Sequence, residues 1–260
     1  DIGANLAHDG FAADLPAVLE RAHAAGVGRI VVTGSDEQSS RSALDLAAAA
    51  PGKLFATAGL HPHHAEDWSP QMAALMRTHA QQPGCRALGE TGLDYFRNFA
   101  DRRAQQQAFA AQLTIACDTR MPVFLHQRDA HADFLPILQE HLPDLPAAVV
   151  HCFTGTAAEL DDYLALDLYI GITGWICDER RGQHLHDIVA RIPDERLMIE
   201  TDSPYLLPRT IRPRPKIRRN EPANLPYVLA TLATARQQDR HELAAHTTAN
   251  ALRFFNLCAD

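Results

Sequence analysis

The feature that most constrains this chain is a recurrence: short apolar runs, each of which can close on a residue able to bind a metal or move a proton. The runs are DIGAN (1–5), RIVVTG (29–34), LFATAGLHP (54–62), RALGETGLD (86–94), PVFLHQ (122–127), AAVVHCF (147–153), LYIGITG (168–174) and LMIETD (197–202). Most read as nearly continuous apolar stretches, the pattern of parallel strands buried on both faces. His61, Glu90, His126, His151 and Asp202 each fall at the C-terminal end of such a run. An open doubly wound sheet collects its site at one switch point, from few strands, whereas a closed barrel brings every strand end to one mouth. Five strand ends that each offer a ligand therefore predict a (β/α)8 TIM barrel.

The segments between the runs are helical in character. LPAVLERAHAAG (15–26) has apolar residues at helical spacing and a glycine stop, and SSRSALDLAAAAPG (39–52) opens on serines as its cap and ends in Pro-Gly. RRAQQQAFAAQLTIACD (102–118) is rich in good helix formers, and further helices are expected after His131, Thr156, Arg181, Pro222 and Asp239. At 260 residues with no linker or low-complexity tract, the chain is expected to be one domain spanning 1–260.

Composition excludes several classes. The five cysteines, Cys85, Cys117, Cys152, Cys177 and Cys258, form no C-x-x-C pair, which argues against a disulfide framework and a structural zinc site and for a reducing, cytoplasmic location. The first residues lack the basic start and long apolar run of a signal peptide, and no stretch approaches the ~20 apolar residues of a membrane span. A net charge of −8 argues against non-specific nucleic-acid binding, though not against an enzyme that meets phosphates through metals and a local basic patch.

His, Glu and Asp are the ligand types of hydrolytic zinc, manganese and magnesium sites. Taken singly, each of these histidines is more often a hydrogen-bonded interior residue, and Glu90 or Asp202 could be a cap or an ion-pair partner. The set of five at matching strand ends is what points to a metal centre. Some barrel hydrolases bridge two metals with a carboxylated lysine. Here Lys53 precedes a strand and Lys216 lies in a Pro-rich loop, so Glu90 is the better candidate for a bridge.

In these residues the chain resembles the TatD family of metal-dependent deoxyribonucleases, of the amidohydrolase-like barrel superfamily. The matching segments are AGLHPH (58–63), GETGLDYFRNF (89–99), MPVFLHQRDAH (121–131), HCFTGT (151–156), YIGITGW (169–175), ETDSPYL (200–206) and RRNEPANLP (218–226), in order and nearly end to end. The resemblance implies divalent metals and hydrolysis of phosphodiesters, typically from a 3′ end. It implies Glu90, His126, His151 and Asp202 as metal ligands, Asp202 also handling the proton of the attacking water. It implies a place for His61 near the metals and the scissile phosphate. His63, Arg128 and Arg219 are candidate substrate contacts, with a salt bridge to Asp129 or Asp133 as the alternative for Arg128, and positioning or pairing with Glu221 the expected role of Arg219 inside its motif. Many members begin D-x-H-x-H, and Gly3 and Asn5 stand here instead, as in a subgroup of the family that also lacks the pair. The expectation is then one firm site and a second that is weak or completed by substrate, with Asn5 a weak oxygen ligand and His8 a surface residue. Mg²⁺ is the first candidate, with Mn²⁺ or Zn²⁺ as alternatives.

The stretch PRTIRPRPKIRRNEP (208–222) reverses the sign of the charge locally and suits phosphate, while a solvated Pro-stiffened loop explains Arg212 and Arg214 equally well. Tyr95, Phe96, Phe99 and Trp175 are candidates for stacking on bases, or for loop packing. The leading expectation is a 3′–5′ exonuclease acting on single-stranded DNA or RNA ends as a monomer with no membrane partner. A metal-dependent amide or ester hydrolase and a non-catalytic metal-binding protein remain open alternatives.

Overall fold

A computed structural model describes residues 1–257, and Cys258 lies outside them. In chain order its regular elements are α1 (Leu15–Ala24), β1 (Ile30–Val32), α2 (Glu37–Ala49), β2 (Leu54–Ala58), α3 (Pro70–Ala80), β3 (Cys85–Asp94), α4 (Arg102–Thr119) and β4 (Val123–Arg128). There follow α5 (His131–His141), β5 (Ala148–Val150), α6 (Ala157–Ala165), β6 (Tyr169–Ile172), α7 (Gln183–Ile188), β7 (Leu197–Ile199), α8 (Leu225–Arg236) and α9 (Arg240–Phe254). The chain divides into two units, Val32–His151 and Asp1–Val31 with Cys152 onward.

In the unit Val32–His151, β2, β3, β4 and β5 are parallel neighbours in chain order. Their register sets Ala58 beside Leu88, Gly92 beside His126 and Leu125 beside Val150. β2 and β5 are buried along their whole length, which is why they lack alternation. The helices cover this sheet with Leu44, Met76, Leu113, Phe134 and Leu138, all close to fully buried, and the rings of Phe109 and Phe134 stack 5.0 Å apart. Each such side chain contributes about 1.5–3 kcal/mol by leaving water.

Two local expectations change here. The cap of α2 is Asp36, whose carboxylate accepts from Ser39 N, while the Ser39 hydroxyl accepts from Asp36 N. A serine at the third helical position closes a capping box from inside the helix, so the serines are not the cap itself. The sequence reading also contained no helix between β2 and β3, where α3 forms. Its signals are Ser69 as cap, Pro70 in the first turn, and Met72 and Met76 one turn apart on the buried side.

In the other unit, β6 and β7 are parallel, with Ile170 beside Leu197 and Ile172 beside Ile199. The opening segment is extended, as expected, but makes a single bridge, Ala4 to Ser203, rather than a ladder. Its backbone is nonetheless held on both sides. Ala4 N donates to Val31 O (3.1 Å) and Val31 N to Asp1 O (3.0 Å), while Asp202 N donates to Gly3 O (2.8 Å) and Asn5 N to Ser203 O (2.7 Å). The capping box of α6, Thr156 with Glu159, and the cap of α9, Asp239, lie where the sequence places them. Buried Asn220 donates to Thr201 O (3.0 Å), which ties the RRNEPANLP segment to the end of β7.

Candidate metal centre

Glu90 owes its position to the glycines beside it. Gly89 and Gly92 have φ of 136° and 145°, and a Cβ at either would strike the backbone oxygen of Phe124 or His126 on β4. Only glycine permits this approach and this conformation. The β3–β4 register shifts between Leu88 and Thr91, and Glu90 N donates to Gly34 O (2.7 Å). The side chain ends 7% exposed.

Three imidazoles converge on it. Glu90 Oε1 lies 2.7 Å from His151 Nε2, 2.8 Å from His126 Nδ1 and 3.3 Å from His61 Nε2. His126 comes from β4, His151 directly follows β5, and His61 follows β2, where its N–H is held by Ser35 O (2.8 Å). One carboxylate oxygen has two lone pairs, so it cannot satisfy three N–H donors well. A cation among these atoms resolves the crowding by taking nitrogen lone pairs and carboxylate oxygen together. The ligand atoms of His61, Glu90 and His126 lie within 4.8 Å of one another, so the donor set fits a divalent metal.

His61 is distinguishable from the others by its proton. Its Nδ1 accepts from His63 N (3.1 Å), which leaves Nε2 as the N–H of the neutral ring. Burial pushes its pKa down to about 4, with His126 adding to the effect, so at neutral pH it is an uncharged donor. Its Nε2 faces the Glu90 oxygen at 3.3 Å, within the His61–Glu90–His126 ligand set, so it is placed either to ligate a metal or, as an N–H, to donate to a phosphate oxygen.

Behind the imidazoles sits Asp94, which sequence reasoning did not single out. It is 3% exposed and ends β3, and its Oδ2 lies 2.7 Å from His63 Nε2 and 3.4 Å from His126 Nε2. A carboxylate on the far nitrogen of a ligating histidine fixes the ring and raises its basicity. Burial alone would raise both carboxyl pKa values, but the imidazoles outweigh it. His151, His61 and His126 hold Glu90 well below the ordinary range, and His126 and His63 do the same for Asp94. His126 itself, disfavoured as a cation by burial, is raised on balance by Asp94 and Glu90. Asp94, not Glu90, is the residue on which RALGETGLD and β3 close, so Glu90 lies within the strand rather than at its end, where the sequence pattern places it.

Two buried glutamines of α4 support this geometry, and nothing in the sequence flagged them. Gln112 accepts from Leu60 N (2.8 Å) and donates to Leu60 O (3.0 Å), one residue before His61. Gln105 accepts from Asp94 N (2.8 Å) and donates to Ala100 O (2.9 Å) and Asp94 O (3.3 Å).

The remaining expected residues are placed as follows. The Arg128 guanidinium lies 4.7 Å from the centre of the Phe96 ring. In the other unit, Asn5 Nδ2 donates to Asp202 Oδ1 (3.0 Å), and Asp202 has a left-handed φ of 51°, a conformation uncommon outside glycine and enriched at functional sites. Arg219 grips Asp14 through both terminal nitrogens (2.7 and 2.8 Å), donates to Gly10 O (2.6 Å) and lies 3.8 Å from Glu221. Arg209 pairs with Glu179, and Arg212 donates to the carbonyls of Arg209 and Ile211. Among the described residues no carboxylate pairs with Arg214 or Arg218, which line a cavity with Trp175.

Comparison with known proteins bears on this arrangement. The family model described as TatD related DNase matches residues 1–256. A protein of Erwinia tasmaniensis is 52% identical over 257 residues, covering 99% of both chains, and one of Erwinia amylovora is 51% identical over the same length and shares. Both are named 3′-5′ ssDNA/RNA exonuclease TatD. The crystal structure of a TatD homologue from Escherichia coli K12 matches with a TM-score of 0.89 at 29% identity, covering 99% of this chain and 98% of that one. A TatD family hydrolase from Entamoeba histolytica matches with a TM-score of 0.87 at 25% identity, covering 98% and 96%. The fold is therefore of the α/β TIM-barrel class of the TatD structures it matches, with seven strands among the described residues and a single bridge in place of the expected first strand.

Proposed function

The chain belongs to the TatD-related DNase family of metal-dependent hydrolases, and from that premise we propose that it is a divalent-metal-dependent nuclease removing nucleotides from the 3′ end of single-stranded DNA or RNA. The observation that carries the reading is the convergence of His126, His151 and His61 on one oxygen of buried Glu90. Glu90, His126 and His151 would hold the firm ion, Mg²⁺ first, with Mn²⁺ or Zn²⁺ able to replace it. A bound divalent ion lowers the pKa of water and neutralises charge on a phosphoryl oxygen.

The protein's own groups divide the rest of the work. Asp94 lies 3.4 Å from the far nitrogen of His126 and biases its charge while hydrogen-bonding His63, and His61 donates its Nε2 proton toward a phosphate oxygen. The family pattern supports Asp202 as a further ligand and as acceptor of the attacking water's proton. Asn5, bonded to that carboxylate, stands where other members carry a ligating histidine, which supports a second ion that is weak or arrives with the phosphate. His63 and Arg128 would contact substrate beside the cluster. For Arg219, the grip on Asp14 supports a role in anchoring its loop. The match over residues 1–256 supports reading 1–260 as one functional domain.

The test uses end-labelled single-stranded DNA with Mg²⁺ or Mn²⁺. The wild type is expected to release mononucleotides as a stepwise 3′ ladder, and Glu90→Ala to release none. A wild type inactive with every divalent ion would overturn the nuclease, and internal cuts would overturn the exonuclease.

A further inference from the structure

The loop after β3 leaves two large apolar side chains in water and yet is firmly built. Phe96 is 58% exposed and Phe99 67% exposed. Loop packing, the ordinary account of such residues, applies to their neighbour Tyr95, which is half-buried. Its hydroxyl donates to Asp133 (2.8 Å) and accepts from Gln106 (2.8 Å), and its ring lies under Arg102. It does not apply to the two phenylalanines.

Their exposure is not the disorder of a slack segment. Gln105, itself fully buried, ties Asp94 at one end of the loop to Ala100 at the other. Inside the loop, Arg97 N donates to Asp94 Oδ1 (2.8 Å) and Asn98 N to Asp94 O (3.2 Å), and Asn98 takes a left-handed φ of 50° to make the turn. Holding two phenylalanines outward costs apolar burial worth about 1.5–3 kcal/mol each. Among the described residues their contacts, Phe99 with the His63 ring and Phe96 with two guanidiniums, leave more than half of each residue in water.

The loop also adjoins the metal cluster. The Phe99 ring meets His63 edge-on at 4.7 Å between centroids, and His63 shares Asp94 with His126. The Phe96 ring carries two guanidiniums, Arg128 at 4.7 Å and Arg97 at 5.8 Å. Two aromatic residues more than half exposed, one of them with guanidiniums over its ring, match an unpaired nucleotide, whose base stacks on the exposed ring surface while its phosphate meets an arginine. A terminal base in a duplex is held by its partner strand and by the one neighbour it stacks on, and must unpair and unstack before it can turn onto the platform.

The geometry points to Phe96 and Phe99 as the nucleobase platform of this site, with Arg128 as its phosphate contact, recognising an unpaired terminal nucleotide. The inference rests on the nuclease reading above, and the platform is how that site distinguishes single-stranded from paired ends. Phe96 and Phe99 touch the base and not the reacting atoms, so they govern binding and selectivity.

The test compares oligodeoxynucleotides ending in thymidine with the same strands ending in an abasic residue, for wild type, Phe96→Ala/Phe99→Ala and Phe99→Tyr. The wild type is expected to prefer the natural end. In the double variant the ratio of the two kcat/KM values falls about 5- to 100-fold, the range of one to two stacking contacts. Tyrosine, which keeps the aromatic face, retains the preference. A strand carrying terminal 2-aminopurine supplies a readout independent of turnover, its fluorescence being quenched on binding to the wild type and not to the double variant. Unchanged ratio and quenching in a folded, active double variant would overturn the platform and leave the nuclease standing. Quenching by a wild type that never cleaves would overturn the nuclease and leave the platform. Neither cleavage nor quenching would overturn both.

Discussion

Two polar clusters, each confined to one unit, are built from the same kinds of residue and behave in opposite ways. Around Asp14, the acids and bases are matched. Arg219 takes both carboxylate oxygens, Arg21 reaches Asp14 at 3.3 Å and Glu221 at 2.7 Å, and every charge has a counter-charge at the protein surface. Around Glu90 the count does not close, because three imidazole nitrogens crowd a single buried oxygen. A matched cluster is finished by folding. An over-subscribed one is finished by something that binds, and the comparison says where that something goes.

The sharpest way to break this contrast is the metal itself. With Mn²⁺ at about a hundred times its dissociation constant, linkage gives ~2.7 kcal/mol of added stability, a rise in Tm of about 5–10 °C for a chain of this size. Wild type and Asp14→Asn are expected to show it and Glu90→Gln to show none. An equal rise in all three, followed by differential scanning fluorimetry, would place the ion elsewhere.

Next in size is the polar scaffold behind the cluster. Gln112→Leu strands the N–H and C=O of Leu60 in a buried setting, at about 1–3 kcal/mol for each orphaned group. Urea unfolding should report the loss directly, and a midpoint equal to wild type would show that Leu60 finds other partners.

The arginines then separate by partner. Arg214→Ala with Arg218→Ala should raise KM for single-stranded DNA several-fold and flatten the salt dependence by about 0.7 per lost phosphate contact. Arg219→Ala, which removes the Asp14 partner, should lower the unfolding midpoint while leaving that slope alone. If instead Arg219 flattened the slope and Arg214 did not, the division between matched and unmatched arginines would be wrong.

The smallest expected effect is a pH window. Arg219 first, and Arg21 after it, pull the Asp14 pKa down from 3.8 to about 2. A carboxyl depressed on folding contributes stability that is fully present above its unfolded pKa and is lost as pH falls through the folded value. Wild type minus Asp14→Asn stability should therefore be flat above about pH 5 and shrink between about pH 4 and pH 2. The slope weakens with salt, as for any exposed pair.

The sequence revealed this protein unevenly, for a physical reason. Strand ends are legible because a buried parallel strand is an apolar run and its polar terminus stands out, so His61, His126 and His151 can be read directly, whereas Glu90 lies inside β3, four residues before its end. Asp94 obeyed the same rule and was passed over beside Glu90 on the same run. The first run reads as a regular strand, whereas it makes a single bridge, at Ala4. Helix α3 carries start signals in Ser69 and Pro70 but little apolar periodicity, since it buries only Met72, Met76 and His79. Gln105 and Gln112 could not be found at all, since a glutamine in a helix reads as surface until its amide is seen clamping a backbone. The sequence sets Arg219 apart from Arg214 by its motif, but its partner Asp14 lies about two hundred positions away and shows only in the structure.

The clamp by Gln105 has a consequence for how such a protein diversifies. A loop whose two ends are secured by one side chain from outside it is a cassette. Residues 95–99 can change in size and chemistry while Asp94 and Ala100 stay pinned and the imidazoles keep their places. Grafting those five positions from a relative that differs there should transfer its end preference while the flanking residues stay in place.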